Sequence, residues 1–183
     1  MMKLSHLQKK LAKSKPYQPA EDTFFLADYI QNEKGQSALD IGTSTGFLTK
    51  ILSDSFELVI GTDINVNSLK EQTHPIQNRI CCNAADVFSM KFDLILCNLP
   101  YLATEEIFDI ATDGGKDGYE IPSKIINSAL SCMKKNGKFI FVTSSLSNYK
   151  KLIDLVTNQG FTAKILARKK LFFEELILVE VRN

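Results

Sequence analysis

The 183-residue sequence predicts an α/β fold: a doubly wound, mostly parallel, Rossmann-like sheet of seven strands that ends in an antiparallel hairpin. Two observations support this prediction. Short apolar runs typical of strands alternate with stretches of helical spacing, which is the pattern of a parallel sheet with helices on both faces. The last two apolar runs, FTAKILARK and LFFEELILVEV, follow each other directly, so they should pair antiparallel at the end of the sheet.

The strands are predicted from five further runs. Each is a short, mainly apolar run, as expected for a strand buried in a parallel sheet. In chain order they are Ser37–Ile41, Glu57–Asp63, Arg79–Ala84, Phe92–Asn98 and Gly137–Ser145.

Helical spacing occupies the intervals between the strands. The apolar positions after the first strand are Phe47, Leu48, Ile51 and Leu52, and a short helix is predicted after Asn65. The longer predicted helices are Ala20–Gln31, Pro122–Lys134 and Asn148–Asn158. We expect Gly137 to follow the C-terminus of the helix before it, because glycine is favoured at that position.

The composition is that of an ordinary globular protein, with 44% hydrophobic and 23% charged residues. We predict one domain over residues 1–183, with residues 1–16 as a basic extension. The lysines of that extension suggest a solvated helix face, with contact to RNA or organelle targeting as alternatives. No apolar run approaches the roughly 18 residues of a membrane span, so no membrane association is predicted.

The cysteine and histidine counts argue against disulfide and metal chemistry. Cys81 and Cys82 are adjacent and should point to opposite faces of a strand, and no C-x-x-C pair occurs. His6 and His74 are the only histidines, so few histidines are available for a His-based metal site or a Ser/His/Asp triad. We therefore expect reduced cysteines, a cytoplasmic protein and no bound metal.

The residues after the first two strands suggest a nucleoside-binding site, because ligands of open parallel sheets bind beyond the carboxyl ends of the strands. DIGTSTG contains Asp40, Gly42 and Gly46, and a glycine-rich turn lets backbone amides approach a ligand. Asp63 ends the second strand 63 − 42 = 21 positions beyond Gly42, which suits hydrogen bonding to ribose hydroxyls. The alternative is that Asp63 caps the next helix.

The residues after the next two strands extend this pattern. Asp86 can accept from an adenine amino group beside Val87, although a solvated loop acid is an equal alternative. Asn98-Leu99-Pro100-Tyr101 follows the fourth strand. The Asn98 amide oxygen and the carbonyl preceding or belonging to Pro100 can grip both protons of an NH2 group, and Tyr101 can stack on a planar group. Two such acceptors favour methyl transfer to a conjugated nitrogen, because they stabilise the positive charge that develops there.

These four motifs, in this order, resemble those of a class I S-adenosylmethionine methyltransferase acting on an amino or amide group. YQPAEDTFFLADYI (Tyr17–Ile30) resembles the Y-x-P-A-E-D-T-F-x-L stretch of the HemK-related release-factor glutamine methyltransferases of the archaeal and eukaryotic type. DGGKDGYEIPSKIINSAL and the ending ARKKLFFEELILVEV are similar to that family's G-G-x-x-G-x-E segment and its closing hairpin. The resemblance covers nearly all of Tyr17–Val181.

The resemblance implies S-adenosylmethionine as the cofactor and a role for each matching residue. The implied cofactor-binding residues are Thr23 at the methionine end, Asp40 with Gly42 and Gly46 at the amino acid part, Asp63 at the ribose, Asp86 with Val87 at the adenine, and Asn98. The implied substrate-binding residues are Asn98, Leu99, Pro100 and Tyr101, of which Asn98, Pro100 and Tyr101 are the predicted catalytic residues. The implied reaction is N5-methylation of the glutamine in the Gly-Gly-Gln loop of a class I translation termination factor.

Leu99 departs from the family's usual N-P-P-Y. N-L-P-Y is common in the rRNA adenine dimethyltransferases, so N6-methylation of adenine in RNA or DNA is the alternative function. That family's N-terminal G-Q-N-F-L-type motif is not found in this sequence. A third possibility is a cofactor-binding subunit that is inactive without its partner.

A protein partner is also predicted. RICCNA is short and apolar and should lie at an edge of the sheet, where unpaired backbone groups invite another chain. The family resemblance implies a small zinc-binding activator subunit that docks near Ile80–Cys82. The alternative is that the chain's own N-terminal segment covers this edge.

Overall fold

The computed structural model describes residues 15–183, so most of the predicted basic extension lies outside the described residues. The strands are β1 (Gly35–Ile41), β2 (Phe56–Asp63), β3 (Arg79–Cys81), β4 (Phe92–Asn98), β5 (Leu102–Ala103), β6 (Asp113–Gly115), β7 (Met133–Ser144), β8 (Thr162–Lys170) and β9 (Glu175–Arg182). The helices are α1 (Glu21–Ile30), α2 (Phe47–Leu52), α3 (Val66–Lys70), α4 (Glu120–Ser131) and α5 (Tyr149–Thr157), with a 3-10 turn at Lys116–Gly118.

The predicted α/β sheet is confirmed. Within residues 15–183, seven strands form the main sheet in the order β3-β2-β1-β4-β7-β9-β8, and β5 pairs with β6 in a separate two-stranded sheet. The first five strands of this order are parallel, whereas β9 runs antiparallel to both β7 and β8. None of the described helices is long and apolar enough to span a membrane.

The strand order reverses between β1 and β4, and this switch point positions the site. The chain builds outward from β1 to β3 and then returns to β4 on the other side of β1. Ile41 is opposite Cys97 in the β1–β4 register, so the loops after the two strands begin side by side. Open parallel sheets bind ligands in the crevice at such a point.

Side chains from the two faces of the sheet form two buried clusters. Ile95 and Phe139 contribute to the cluster covered by α4 and α5, whereas Leu94 and Ile140 contribute to the cluster covered by α1 and α2. Neighbouring strand residues thus alternate between clusters, as the period of a strand requires. Burial on both faces explains why these strands are continuous apolar runs in the sequence.

The expectation that Gly137 follows a helix C-terminus is wrong. The helix ends at Ser131, and Gly137 lies inside β7, which begins at Met133. The β4–β7 register shifts between Phe92, paired with Met133, and Leu94, paired with Lys138, so β7 bulges around Gly137. A Cβ at Gly137 would lie 2.7 Å from the Phe92 carbonyl oxygen, so glycine at this position allows β7 to approach β4 closely.

Candidate active site

The loop after β1 forms one wall of a cavity. Gly42 adopts φ = 75°, a conformation favouring glycine, and a Cβ added there would meet no atom within 4 Å. Gly46 adopts φ = 81° as the N-cap of α2, and a Cβ there would overlap the His74 carbonyl at 2.1 Å. Gly42 therefore leaves an open approach to the backbone, whereas Gly46 is needed for packing behind the loop.

Asp63 stands at the end of β2 and lines the same cavity. Its carboxylate accepts from the backbone N–H of Ser44 at 3.0 Å and of Asn65 at 2.8 Å. Burial raises the pKa of Asp63, although the backbone donors oppose this shift. The alternative in which Asp63 caps the next helix is wrong, because the Asn65 side chain caps α3 by accepting from Asn67 N–H at 3.0 Å.

Asp40 lies behind the loop rather than along the cavity. It is 1% exposed, and its carboxylate accepts from the Thr49 hydroxyl at 2.6 Å. Thr49 also shares a short hydrogen bond with the Thr43 hydroxyl. Burial is the largest cause that raises the pKa of Asp40 to about 6, with the nearby charge of Asp63 adding to it.

The residues after β3 that line the cavity are not those that the sequence pattern selected. Asn83 and Ala84 line it, whereas Val87 is 57% exposed. The Asp86 carboxylate accepts from Ser128 Oγ at 2.5 Å and from Asn83 Nδ2 at 2.6 Å. The adenine role of Asp86 and Val87 remains a prediction. Asn83 is the polar residue after β3 that lines the cavity.

Asn98, at the end of β4, also lines the cavity. Its Nδ2 donates to Thr23 Oγ1 at 3.4 Å, while its Oδ1 is buried and finds no hydrogen-bond partner among the described residues. Pro100 also lines the cavity. A buried acceptor without a donor is costly, so Oδ1 marks a position where a ligand N–H can bind.

The side chains of Leu99 and Tyr101 do not line the cavity, whereas Asn98 and Pro100 do. The Leu99 side chain is 2% exposed in the core, and its N–H donates to the Val142 carbonyl at 3.2 Å. The Tyr101 hydroxyl donates to Asp22 Oδ2 at 3.3 Å. Because proline has no N–H, leucine at position 99 keeps a strand hydrogen bond that the family's usual proline could not make.

The cavity has a volume of about 350 Å³ and joins the walls described above. Of the sequence-predicted site residues it brings together Gly42, Asp63, Asn98 and Pro100. Ile107 and Ile110, from the segment between β5 and β6, and Lys124 and Ile125 of α4 also line it. The polar lining includes the amides of Asn65, Asn83 and Asn98, the carboxylates of Asp63 and Asp113, and the ammonium groups of Lys15 and Lys124, beside apolar side chains. The amide and carboxylate oxygens can accept hydrogen bonds from hydroxyl and amino groups of a ligand.

Residues 20–172 match the family model described as the methyltransferase small domain. The chain belongs to this family. The predicted resemblance to HemK-related enzymes is confirmed as well, and the chain is a methyltransferase.

Two relatives and one solved structure illustrate the similarity of this methyltransferase to known proteins. A Methanocaldococcus jannaschii relative with the provisional name protein N5-glutamine methyltransferase is 35% identical over 176 residues, covering 89% of each chain. Human methyltransferase HEMK2 is 24% identical over 168 residues, covering 79% of this chain and 78% of its own. The Mtq2 structure from the E. cuniculi Mtq2-Trm112 complex superposes with a TM-score of 0.77 at 22% identity, covering 91% of this chain and 98% of its own.

The cavity of this methyltransferase includes residues that the sequence did not single out. Asn83 lies in RICCNA, which was predicted as strand, although β3 ends at Cys81. Ile107 and Ile110 follow β5 without a periodic pattern. A polar residue at a strand end could have drawn attention to Asn83, but no local signal identifies the two isoleucines.

The buried Asp40 gives this methyltransferase a testable pH dependence. Its folded pKa of about 6 exceeds the ordinary value of 3.8, so its contribution to stability is complete below about pH 4 and is lost as the pH rises through 6. We expect Asp40→Asn to be more stable than the wild type by about 2 to 3 kcal/mol at pH 8 and equally stable near pH 4.

Urea unfolding at both pH values measures this effect. Asp54→Asn, which removes an exposed carboxylate, is the matched control and should change neither value. A stability difference between Asp40→Asn and the wild type that is the same at pH 4 and pH 8 would show that the Asp40 charge is not the cause.

Proposed function

We propose that this methyltransferase transfers a methyl group from S-adenosylmethionine to the side-chain nitrogen of a protein glutamine. The proposed substrate is the Gly-Gly-Gln loop of a class I translation termination factor. The observation that carries the proposal is the Asn98 side chain, which lines the cavity and whose buried Oδ1 has no hydrogen-bond partner among residues 15–183. The name of the M. jannaschii relative, protein N5-glutamine methyltransferase, supports the choice of glutamine.

The residues of the cavity fit S-adenosylmethionine. Gly42 leaves room for a ligand against the backbone, and the Asp63 carboxylate lies on the cavity wall where ribose hydroxyls could donate to it. Asn83 offers both a donor and an acceptor for a base edge. When bound, the sulfonium supplies an electrophilic methyl group, and the protein's contribution is to hold cofactor and acceptor in line.

The acceptor end of the cavity suits an amide nitrogen. Its lone pair is delocalised, so acceptors for its two hydrogens help by stabilising the charge that develops as the methyl arrives. Asn98 Oδ1 supplies one acceptor. A Cβ at Gly114 would lie 2.5 Å from the Pro100 carbonyl oxygen, so that carbonyl packs against Gly114. We therefore propose the Leu99 carbonyl, rather than that of Pro100, as the second acceptor.

Methylation of adenine would use the same acceptors, since adenine also presents an NH2 group. The feature that suggested it was Leu99. Because that side chain is buried and its N–H is bonded to Val142, the residue identity at position 99 reflects packing. Leu99 thus gives no support to adenine over glutamine.

A labelling experiment tests the glutamine proposal against adenine. The recombinant enzyme is offered radiolabelled S-adenosylmethionine together with a class I termination factor, with the same factor lacking the glutamine of its Gly-Gly-Gln loop, or with total RNA and DNA. We expect label in the first sample alone. Equal label in both forms of the factor, or label in nucleic acid, would contradict the proposal.

We further propose a small zinc-binding partner subunit that binds at the edge strand β3. Within residues 15–183 this strand pairs with β2 alone, and it is three residues long, with Arg79 and Cys81 exposed. The name of the E. cuniculi structure, an Mtq2-Trm112 complex responsible for methylation of a termination factor, supports a two-subunit enzyme. Residues near Ile80–Cys82 would make the contact by strand addition.

A charge at this edge should weaken the complex. We expect Cys81→Lys to lower co-purification of a co-expressed activator subunit and to leave cofactor affinity unchanged, because lysine on an edge strand opposes pairing with another chain. Thr162→Lys is the matched control, since Thr162 is exposed on β8 at the opposite edge. Equal loss in both variants, or full activity of a monodisperse single chain, would argue against the β3 interface.

A further inference from the structure

A chain of hydrogen bonds connects a buried carboxylate to the side-chain amide of Asn98. Asp22 is 6% exposed, and its Oδ1 accepts from the Thr23 backbone N–H at 2.6 Å and from the Thr23 hydroxyl at 3.2 Å. Thr23 Oγ1 in turn accepts from Asn98 Nδ2 at 3.4 Å. The start of α1 is thereby linked to the end of β4, 75 positions away in the chain.

Two tyrosines complete the surroundings of Asp22. The hydroxyls of Tyr17 and Tyr101 donate to Asp22 Oδ2 at 2.9 Å and 3.3 Å. Burial, and then the negative charge of Asp22, raises the pKa of both tyrosines well above the usual range, so both hydroxyls stay protonated. The carboxylate oxygens of Asp22 accept these hydrogen bonds, and the hydroxyls of Tyr17, Tyr101 and Thr23 donate them.

This arrangement fixes the direction of each hydrogen bond in the chain. Thr23 has a single hydroxyl proton and gives it to Asp22, so the oxygen presents only lone pairs to Asn98. The NH2 of Asn98 must therefore face Thr23, which leaves its oxygen free for a ligand. A rotated Asn98 would set two acceptors against each other and present an NH2 that cannot accept from a substrate N–H.

We propose that Asp22, acting through Thr23, is a positioning residue that orients the Asn98 amide so that its oxygen receives the substrate NH2. This inference rests on the proposed function only in that Asn98 holds an NH2 group of the methyl acceptor. It holds equally for glutamine and for adenine. It means that the E-D-T segment at the start of α1 helps to orient the group that binds the acceptor nitrogen.

Substitutions at Thr23 separate hydrogen bonding from packing. Thr23→Val keeps the shape of the side chain and removes the hydroxyl, whereas Thr23→Ser keeps the hydroxyl. We expect Thr23→Val to lower kcat by about 10- to 100-fold, as outer partners of site residues typically do, with the KM for the methyl acceptor much less affected. Thr23→Ser should restore most of the rate. Calorimetry with S-adenosylhomocysteine gives the affinity of each variant, so that kcat is compared at saturating cofactor and a change at the implied cofactor contact of Thr23 does not enter it.

The double variant gives a readout that a packing defect would not produce. Because Thr23 acts through Asn98, Thr23→Val should cost little further rate in an Asn98→Ala background. The side-chain NH2 resonances of Asn98, assigned by their loss in Asn98→Ala, should exchange with water faster in Thr23→Val than in the wild type or Thr23→Ser. The resonance measurement requires no turnover and no knowledge of the substrate.

Three results would overturn the positioning role. They are an unchanged kcat in Thr23→Val, an equal loss in Thr23→Ser, and additive losses in the double variant. Failure of the proposed function has a different signature. If the enzyme labels adenine and leaves the termination factor unlabelled, the glutamine substrate is refuted. The kcat values of Thr23→Val and Thr23→Ser are then compared with adenine as the methyl acceptor. If neither acceptor is labelled, unchanged Asn98 exchange in Thr23→Val overturns the positioning role.

Discussion

Replacing Asn98 with alanine is expected to lower kcat by about 100- to 1,000-fold, the typical cost of removing one group that stabilises developing charge in a transition state. The Asn98 amide oxygen at the end of β4 is buried and has no hydrogen-bond partner in the described part of the chain, so in the proposed mechanism it accepts from a ligand N–H. The bond strengthens as the acceptor nitrogen gains positive charge. Single-turnover methylation with saturating enzyme measures this step directly.

The control for Asn98 is Asn127→Ala on the exposed face of α4, which should leave the rate unchanged. Thermal unfolding should also be near wild type in Asn98→Ala, because the side chain bonds to Thr23 alone among the described residues. A loss of less than about tenfold in the chemical step would exclude Asn98 as the principal acceptor.

The second large effect is expected at Asp63, where alanine should weaken S-adenosylmethionine binding by roughly 100-fold. The figure corresponds to about 2.7 kcal/mol, which is the loss of one to two hydrogen bonds to a charged group. The carboxylate lies on the cavity wall and is fixed by the backbone N–H groups of Ser44 and Asn65, so it is preorganised for ribose hydroxyls. Isothermal titration calorimetry gives the dissociation constant.

The comparison for Asp63 is Asp86→Ala. The Asp86 carboxylate is held by Ser128 and Asn83, so its loss should weaken binding less than that of Asp63. An unchanged dissociation constant in Asp63→Ala would contradict the ribose role. A larger effect at Asp86 than at Asp63 would move the main cofactor contact to the loop after β3.

The strand ends were predictable from the sequence, and with them the residues at the strand ends that line the cavity. Apolar runs locate buried strands, and parallel connection brings their carboxyl ends to one edge, so Asp63 and Asn98 could be selected without coordinates. The bulge at Gly137 could not be predicted, because it depends on the approach of β4 to β7. The sequence likewise could not tell that Asp40 lies behind its loop, because the direction of one side chain depends on partners such as Thr49.

The orientation of Asn98 also lay beyond the sequence. Asp22 and Tyr101 are 79 positions apart, and their hydrogen bond forms only when α1 packs beside the end of β4. Leu99 illustrates the opposite case, in which a conspicuous departure from a motif has a local cause. The Leu99 N–H donates to the Val142 carbonyl and the Leu99 side chain packs in the core. The leucine in the motif is therefore not evidence for an adenine substrate.

The central claim is that the Asn98 amide holds a glutamine NH2 for methylation, and fragment-ion mass spectrometry of a methylated termination factor tests it most directly. With the wild-type enzyme and S-adenosylmethionine, the account predicts one methyl group on the side-chain nitrogen of the glutamine in the Gly-Gly-Gln loop, formed about 100- to 1,000-fold more slowly with Asn98→Ala. A methyl group on any other residue of the factor, or methylation of the glutamine by Asn98→Ala at the wild-type rate, would contradict it.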